Sequence, residues 1–422
     1  MILDVSPLGR HRDYRLLFAG QFVSAFGSMI TYAAVPYQVF ELTRSSLAVG
    51  MLGVVQLVPL VVFALWGGAY ADAMDRRKLV IVSELLLTGA SLALAVNSML
   101  PRPGTWTLFA VTAVVSVVNG FHRPALQAMT PKLVDREDLT AVAALGTLSY
   151  SVAAIAGPAS GGVLIASTGF PVTYAIDVAT FVVSLVALAA MRSMPPAGDV
   201  SPPGLASIVE GLRYARSRPE LIGTYVVDMV AMAFAMPMAL FPAMAENWGG
   251  AFAAGCLYAA MPAGTLILSL LSGWTQRVDR HGAAVVIAAA IWGAAILGLG
   301  FASTLAGAVV CLVLAGAADT VSGIFRMTIW NQTIPAALRG RLAGVEMISY
   351  LSGPLVGNAR AGWVASVSGN AWSLISGGLA CVFGVLLCVP TLPAFWRYNS
   401  STWLQTQGLE APGLPASPEE SR

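Results

Sequence analysis

Charge is what this chain has least of. Asp, Glu, Lys and Arg make up 10% of its 422 residues, against about 25% in water-soluble domains, which excludes an ordinary soluble globule. Lysine is confined to Lys78 and Lys132, preceded by Arg77 and Pro131. With no Gly-Lys pair there is no Walker A loop, and an ATPase of that type is excluded. The four cysteines (Cys256, Cys311, Cys381 and Cys388) fall inside apolar runs without metal or disulfide spacing and read as small buried hydrophobes. The three histidines (His11, His122 and His281) are scattered, so neither a metal site nor a cofactor is expected. Enzyme chemistry and a nucleic-acid partner are not expected either. The polar start MILDVSPLGRHRDYR leads into an apolar run too long for a signal-peptide core, so the first helix is expected to stay as an anchor.

What remains is hydrophobic: 57% of the residues. They gather into segments close to the ~20 residues that cross a hydrocarbon core. Six precede the long polar stretch 191–219, at 15–38, 48–71, 79–98, 106–128, 140–165 and 171–190. Six follow it, at 220–244, 251–273, 283–302, 306–329, 342–366 and 371–392. The expected fold is an all-α integral membrane protein with twelve transmembrane helices in two six-helix bundles, residues 1–190 and 220–392. Charge placement supports the count. Of the 23 Lys and Arg residues, only Arg44 and Arg102 map to the face away from the N-terminus. Arg123, Arg326 and Arg360 lie within segments, and the other 18 share the N-terminal face. By the positive-inside rule both termini are cytoplasmic, with the protein in a bacterial inner membrane.

The polar stretch opens with Pro195-Pro196 and Pro202-Pro203, which no helix interior tolerates. Leu205, Ile208, Val209 and Leu212 then recur at helical spacing, with Arg213 and Arg216 off that face. This predicts a cytoplasmic linker carrying an amphipathic helix on the membrane surface. The end, 393–422, is rich in Pro, Ser and Glu after Trp396 and is expected to be disordered.

The halves repeat one another. Pro131 corresponds to Pro335, and Gly157-Pro158 to Gly353-Pro354, about 200 residues apart. The loop after the second segment, GGAYADAMDRRK, is echoed by SGWTQRVDRHG after the eighth. Gly68, Asp72, Arg76 and Arg77 in the first of these resemble the signature loop of major facilitator transporters, with Asp75 where that family has glycine. The resemblance implies that Asp72 receives the start of the eleventh helix and gates the cytoplasmic side. In SVAAIAGPASGG, Gly157, Pro158, Gly161 and Gly162 resemble the fifth-helix motif of the family's antiporting exporters. The glycines would let the halves pack closely, and the proline would supply a bending point.

Polar residues within apolar segments are costly in lipid and point to a pathway. Gln21, Ser24, Ser28 and Tyr32 form one stripe on the first segment, expected to face a water-filled cavity. Asp228 lies on the seventh beside Met229, Met232 and Met236, a stripe suited to irregular hydrophobic ligands. Asp319 and Arg326 lie on the tenth and Arg360 on the eleventh; Asp177 lies nearer the outer end of the sixth. Asp228 and Asp319 are the expected proton sites, and Arg326 and Arg360 would suit an acidic substrate.

Further segments, LFPAMAENW at 240–248, GCLYAAMPAG at 255–264 and TIPAALRGRLAG at 333–344, resemble a branch containing siderophore, drug and macrolide exporters. The resemblance implies a proton antiporter, working as a monomer, that moves a siderophore or similar amphiphile outward. A multidrug or macrolide pump of the same fold is the alternative; an importer or a non-transporting sensor fits less well.

Overall fold

The computed structural model describes residues 4–73, 75–193 and 213–402. Every regular element among them is helical. The long helices are α1 (Arg12–Thr43), α2 (Ser46–Ala73), α3 (Arg76–Met99) and α4 (Thr105–Met129). The next, Leu139–Ala189, carries one non-helical residue, Gly169 (φ 81°, ψ 178°). Pro171 follows it, and the pair divides the run into α5 (139–168) and α6 (170–189). After the linker come α7 (Pro219–Ala235), α8 (Ala251–Leu270), α9 (His281–Leu299), α10 (Leu305–Thr333), α11 (Ala336–Ser368) and α12 (Asn370–Thr391). Among the described residues nine helices are long and apolar enough to cross a bilayer, the undivided 136–189 run counting as one.

Local chemistry sets the helix ends. Asp75 (φ −61°) accepts the Lys78 backbone N–H at 3.2 Å and caps α3, so a carboxylate suits this position without the backbone freedom of glycine. Thr304 caps α10 through the Gly307 N–H. Pro219 opens α7 at a first-turn position, where no N–H is needed. Arg44 ends α1 in the left-handed region (φ 51°).

The seventh segment departs from expectation. Its apolar run predicts an unbroken helix to residue 244, but α7 stops at Ala235 and the chain continues as short turns through Trp248. Pro237 has no N–H to return to the helix. Other helices satisfy the freed backbone: Arg360 donates to the Phe234 carbonyl (3.1 Å), Asn358 accepts from the Ala239 N–H (3.1 Å), and Tyr258 donates to the Met238 carbonyl (3.1 Å). Irregular backbone in a membrane protein requires such partners.

α1 packs on the α5–α6 run, α3 on α4 and α6, α9 on α10 and α12, and α7 on α11 and α12. The two halves meet along α2–α11 and α5–α8. Their closest approaches are backbone to backbone. A Cβ on Gly162 would strike the backbone of Ala251 and Gly255, and one on Gly362 would strike Ser46 and Gly50. Small residues permit this spacing between helices in lipid.

The expected amphipathic linker helix (205–212) lies outside the described residues. So does the terminal stretch 403–422. Residues 393–402, however, are packed rather than free. Phe395 is fully buried against Gly223 and Gly282, Tyr398 donates to Gln332 (3.0 Å), and the Ser400 N–H bonds to the Asp279 carbonyl (2.9 Å). An aromatic every third residue at 395 and 398 gives this piece of the tail a buried face that its composition conceals.

Candidate functional site

In the second half, three of the expected residues come together. Asp228 on α7 is buried and ion-paired with Arg326 on α10, whose other terminal nitrogen lies 3.5 Å from Asp319. Asp319 and Arg326 share α10 two turns apart, so the long guanidinium reaches back along its own helix while it bridges to α7. Asp228 and Arg326 border a cavity of about 260 Å³ lined also by Thr224, Tyr225, Trp330 and Tyr350, among others, while Asp319 stands outside that lining. The Asp319 side chain is 41% exposed and Asp228 only 7%. Asp228 is therefore the carboxylate on the cavity wall, and Asp319 reaches it only through Arg326. Tyr225 and Trp330 meet edge to face at 6.2 Å and give the cavity an aromatic corner.

Other expected residues stand elsewhere. Arg360 donates to the carbonyls of Phe234 and Ser373 and to Ser376 Oγ at 2.8–3.1 Å, none of which lines the cavity. It holds the break in α7 and is occupied there. Met232 and Met236 are buried against Gly353 and Gly357 of α11, so they pack the helix pair. On α1 the stripe divides. Gln21 donates to Glu84 (2.5 Å) and Ser184 (3.2 Å) inside the first half, Ser24 is buried and Ser28 half-buried. Tyr32 alone reaches across, donating to Met238 Sδ (3.0 Å) and meeting Tyr258 edge to face at 6.0 Å.

Among the described residues, the halves close on each other at the end remote from the N-terminus. There Arg44 pairs with Glu246, Ser46 donates to Asn370 (3.1 Å), and the glycine contacts of α2–α11 and α5–α8 occur. Tyr32 touches residues of the other half and is still 46% exposed, so open space lies directly beneath this closed end. In the fifth-helix motif, Gly157 and Gly161 pack on α1 within their own half, while Gly162 and the Pro158 carbonyl meet α8 of the other. The surroundings of Gly68 and Asp72, and those at the start of α11, lie outside the described residues, so the Asp72 gate does too. Arg77 donates twice, at 2.7 Å, to the last carbonyls of α6 (Leu188 and Ala189), a cationic cap at a helix C-terminus. Arg76 is buried.

A match to one family model extends over residues 4–409, and its description is transmembrane secretion effector. The chain belongs to the transmembrane secretion effector family. Curated relatives of this family member include the enterobactin exporter EntS of Shigella boydii, 29% identical, and that of Escherichia coli, 28% identical. Each alignment covers 92% of this chain and 93% of the relative. Among solved structures, a peptide transporter of the POT family bound to sulfate superposes with a TM-score of 0.75 at 14% identity, covering 93% of this chain and 96% of the other. A mutant of the nucleoside transporter NupG superposes with a TM-score of 0.69 at 12% identity, covering 91% and 98%. The fold is therefore the major facilitator fold, in a multi-pass membrane protein.

Two groupings escaped the sequence reading. Glu84 of α3 is fully buried among Gln21, Ser184 (2.9 Å) and His122 (3.7 Å), and the seven-residue repeat Glu84/Ser91, opposite Asp177/Ser184, was its signal. At the N-terminal face, His11 Nε2 sits 2.8 Å from Asp138 and 3.9 Å from Asp135, with Arg10 also on Asp138 (3.3 Å). Two of the histidines scattered in sequence are thus drawn to carboxylates, and the second grouping pins the N-terminal segment to the start of α5.

Proposed function

We propose that this protein is a proton-coupled exporter, twelve helices in two bundles, that moves a siderophore or similar amphiphilic molecule out of the cytoplasm by alternating access. The observation that carries the reading is the Asp228–Arg326 pair on the wall of an aromatic-lined cavity, with Asp319 on the other side of Arg326, beneath an end where the halves are closed. With the termini cytoplasmic, as the arginine distribution implies, that cavity faces the cytoplasm. Charge bookkeeping narrows the cargo. Two carboxylates and one guanidinium leave a single negative charge, and the guanidinium is already engaged. A cargo that presents hydroxyl or amine donors competes with the proton for Asp319 and Asp228, which is the linkage an antiporter needs. An acidic cargo would have to take Arg326 from Asp228 and would bind best when the carboxylates were protonated, which couples the two in the same direction. The siderophore's hydroxyl donors, rather than its acidity, fit the antiport reading. The names of the curated relatives support export and a siderophore; the family description supports secretion.

The test is retention of a catecholate siderophore and of a macrolide in cells lacking their own exporters, with and without this protein. Lower siderophore retention that a protonophore abolishes is the expected result. Protection against the macrolide alone would replace the siderophore with a drug-like cargo. Unchanged retention of both, with the protein present in the membrane, would remove the exporter reading.

A further inference from the structure

The first half holds a second pair of buried carboxyls, away from the cavity. Glu84 is fully buried and Asp177 is 1% exposed. Both show the same arrangement of donors. Gln21 Nε2 and Ser184 Oγ both donate to Glu84 Oε1, at 2.5 and 2.9 Å, while Oε2 is buried without a hydrogen-bond partner. Thr31 Oγ1 and Ser91 Oγ both donate to Asp177 Oδ2, at 2.6 and 2.7 Å, and Oδ1 receives only Thr180 at 3.5 Å. In each case neutral donors saturate one oxygen and leave the other available for a proton.

The charged groups around this pair are few. From α1, α3 and α6 only amide and hydroxyl groups face the two carboxyls. From α4, His122 Nε2 stands 3.7 Å from Glu84 Oε1, itself buried and without a hydrogen bond. Among the described residues neither carboxyl has an arginine or lysine partner. The triad of the second half, by contrast, is built on Arg326. A carboxylate buried without a counter-charge is costly, and binding a proton removes that cost.

The two sites are linked. Glu84 and Ser91 are seven residues apart on α3, and Asp177 and Ser184 seven apart on the antiparallel α6, so the carboxyls stand roughly 10 Å from each other along the bundle. Thr180 lies between them on α6, and beyond Asp177 the seam continues to Tyr174, which donates to Gln38 at 2.8 Å. We propose that this seam between α1, α3 and α6 is a proton-binding path, with Glu84–His122 and Asp177 as its two stations, separate from the cargo site in the other half. Its use in transport rests on the proton-coupled reading above; proton binding itself can be tested without any cargo.

The experiment is infrared difference spectroscopy of the purified full chain in lipid nanodiscs, taken through acidification, on the wild type and on Glu84→Gln and Asp177→Asn. Both substitutions keep shape and most hydrogen bonds. The expected result is a protonated-carboxyl band lost in each variant and retained in Asp228→Asn. If Glu84→Gln does not fold, carboxyl isotope labelling of all glutamates in the wild type must shift the band assigned to it. Spectra of both variants identical to wild type, or no shift on labelling, would overturn the proposal and make the seam purely structural. In proteoliposomes, variants that keep cargo exchange but lose acceleration by a pH gradient would tie the seam to coupling. Wild-type protein that exports neither the siderophore nor the macrolide would defeat the exporter reading and leave the infrared result standing.

Discussion

Arg326 shows how one side chain can join two roles. It neutralises the buried Asp228 on the cavity wall, and its other terminal nitrogen reaches back to Asp319 on its own helix. Removing one partner of a buried pair leaves an uncompensated charge and costs roughly 3–5 kcal/mol. Arg326→Met is therefore expected to lower thermal stability sharply, and Asp228→Asn combined with Arg326→Met to recover most of it. Melting of the detergent-solubilised variants would show this; equal stability of the single and double variants would contradict the pairing. Asp319→Asn, which removes only the longer, 3.5 Å contact of Arg326, is expected to lower Tm less than Arg326→Met while changing transport. Arg44 offers the opposite case. Its ion pair with Glu246 is exposed and worth about 0–1 kcal/mol, whereas its left-handed backbone (φ 51°) costs a non-glycine residue about 1–2 kcal/mol. Arg44→Gly should be neutral or stabilising by up to about 2 kcal/mol, read as an unchanged or raised Tm.

At the scale of helices, the crossings of α5 with α8 and of α2 with α11 set how the far end shuts. Both rely on glycine backbones in contact, and an added side chain cannot relax away because the obstructing atoms are main chain. Overpacking costs about 1–3 kcal/mol, and about 1.4 kcal/mol changes a population ratio tenfold. Gly162→Val should thus reduce the closed far end by about five- to a hundredfold. The measurement is disulfide trapping between Arg44→Cys and Glu246→Cys, in a chain whose four native cysteines are replaced by serine. Fast trapping in the parent and slow trapping with Gly162→Val is expected; equal rates would show that this crossing does not control closure. The break in α7 belongs to the same scale. Pro237 makes it legible in sequence, but its three outside partners, Arg360, Asn358 and Tyr258, come from two other helices. Sequence alone therefore marks Arg360 as a charge within a segment but does not show that it donates to the carbonyls of Phe234 and Ser373.

For the whole molecule, the closed far end and the cavity beneath it predict one-sided access. A cysteine in place of Met327, 47% exposed and on the cavity wall, should react with a membrane-impermeant thiol reagent supplied to the cytoplasmic side of inverted vesicles. It should resist the same reagent added to intact spheroplasts. Labelling at equal rates from both sides would mean that the far end is not the closed one.

Much of this was written in the chain itself. The scarcity of charge and the arginines crowded on one face required a polytopic helical membrane protein, because a bilayer leaves a backbone few other ways to satisfy its hydrogen bonds. The repeat of Pro131 and Pro335 and of the two Gly-Pro pairs marked two related halves, and mid-segment charge singled out Asp228, Asp319 and Arg326. Only the tertiary structure decided which of those charges meet. Periodicity places a residue on a helix face but not opposite a particular neighbour, since that depends on crossing angle and register between helices far apart in sequence. Hence Arg326 found its carboxylates and Arg360 found carbonyls, Met232 and Met236 packed on glycines, and Glu84, unremarkable on its own helix, came to face Gln21, Ser184 and His122 from three others.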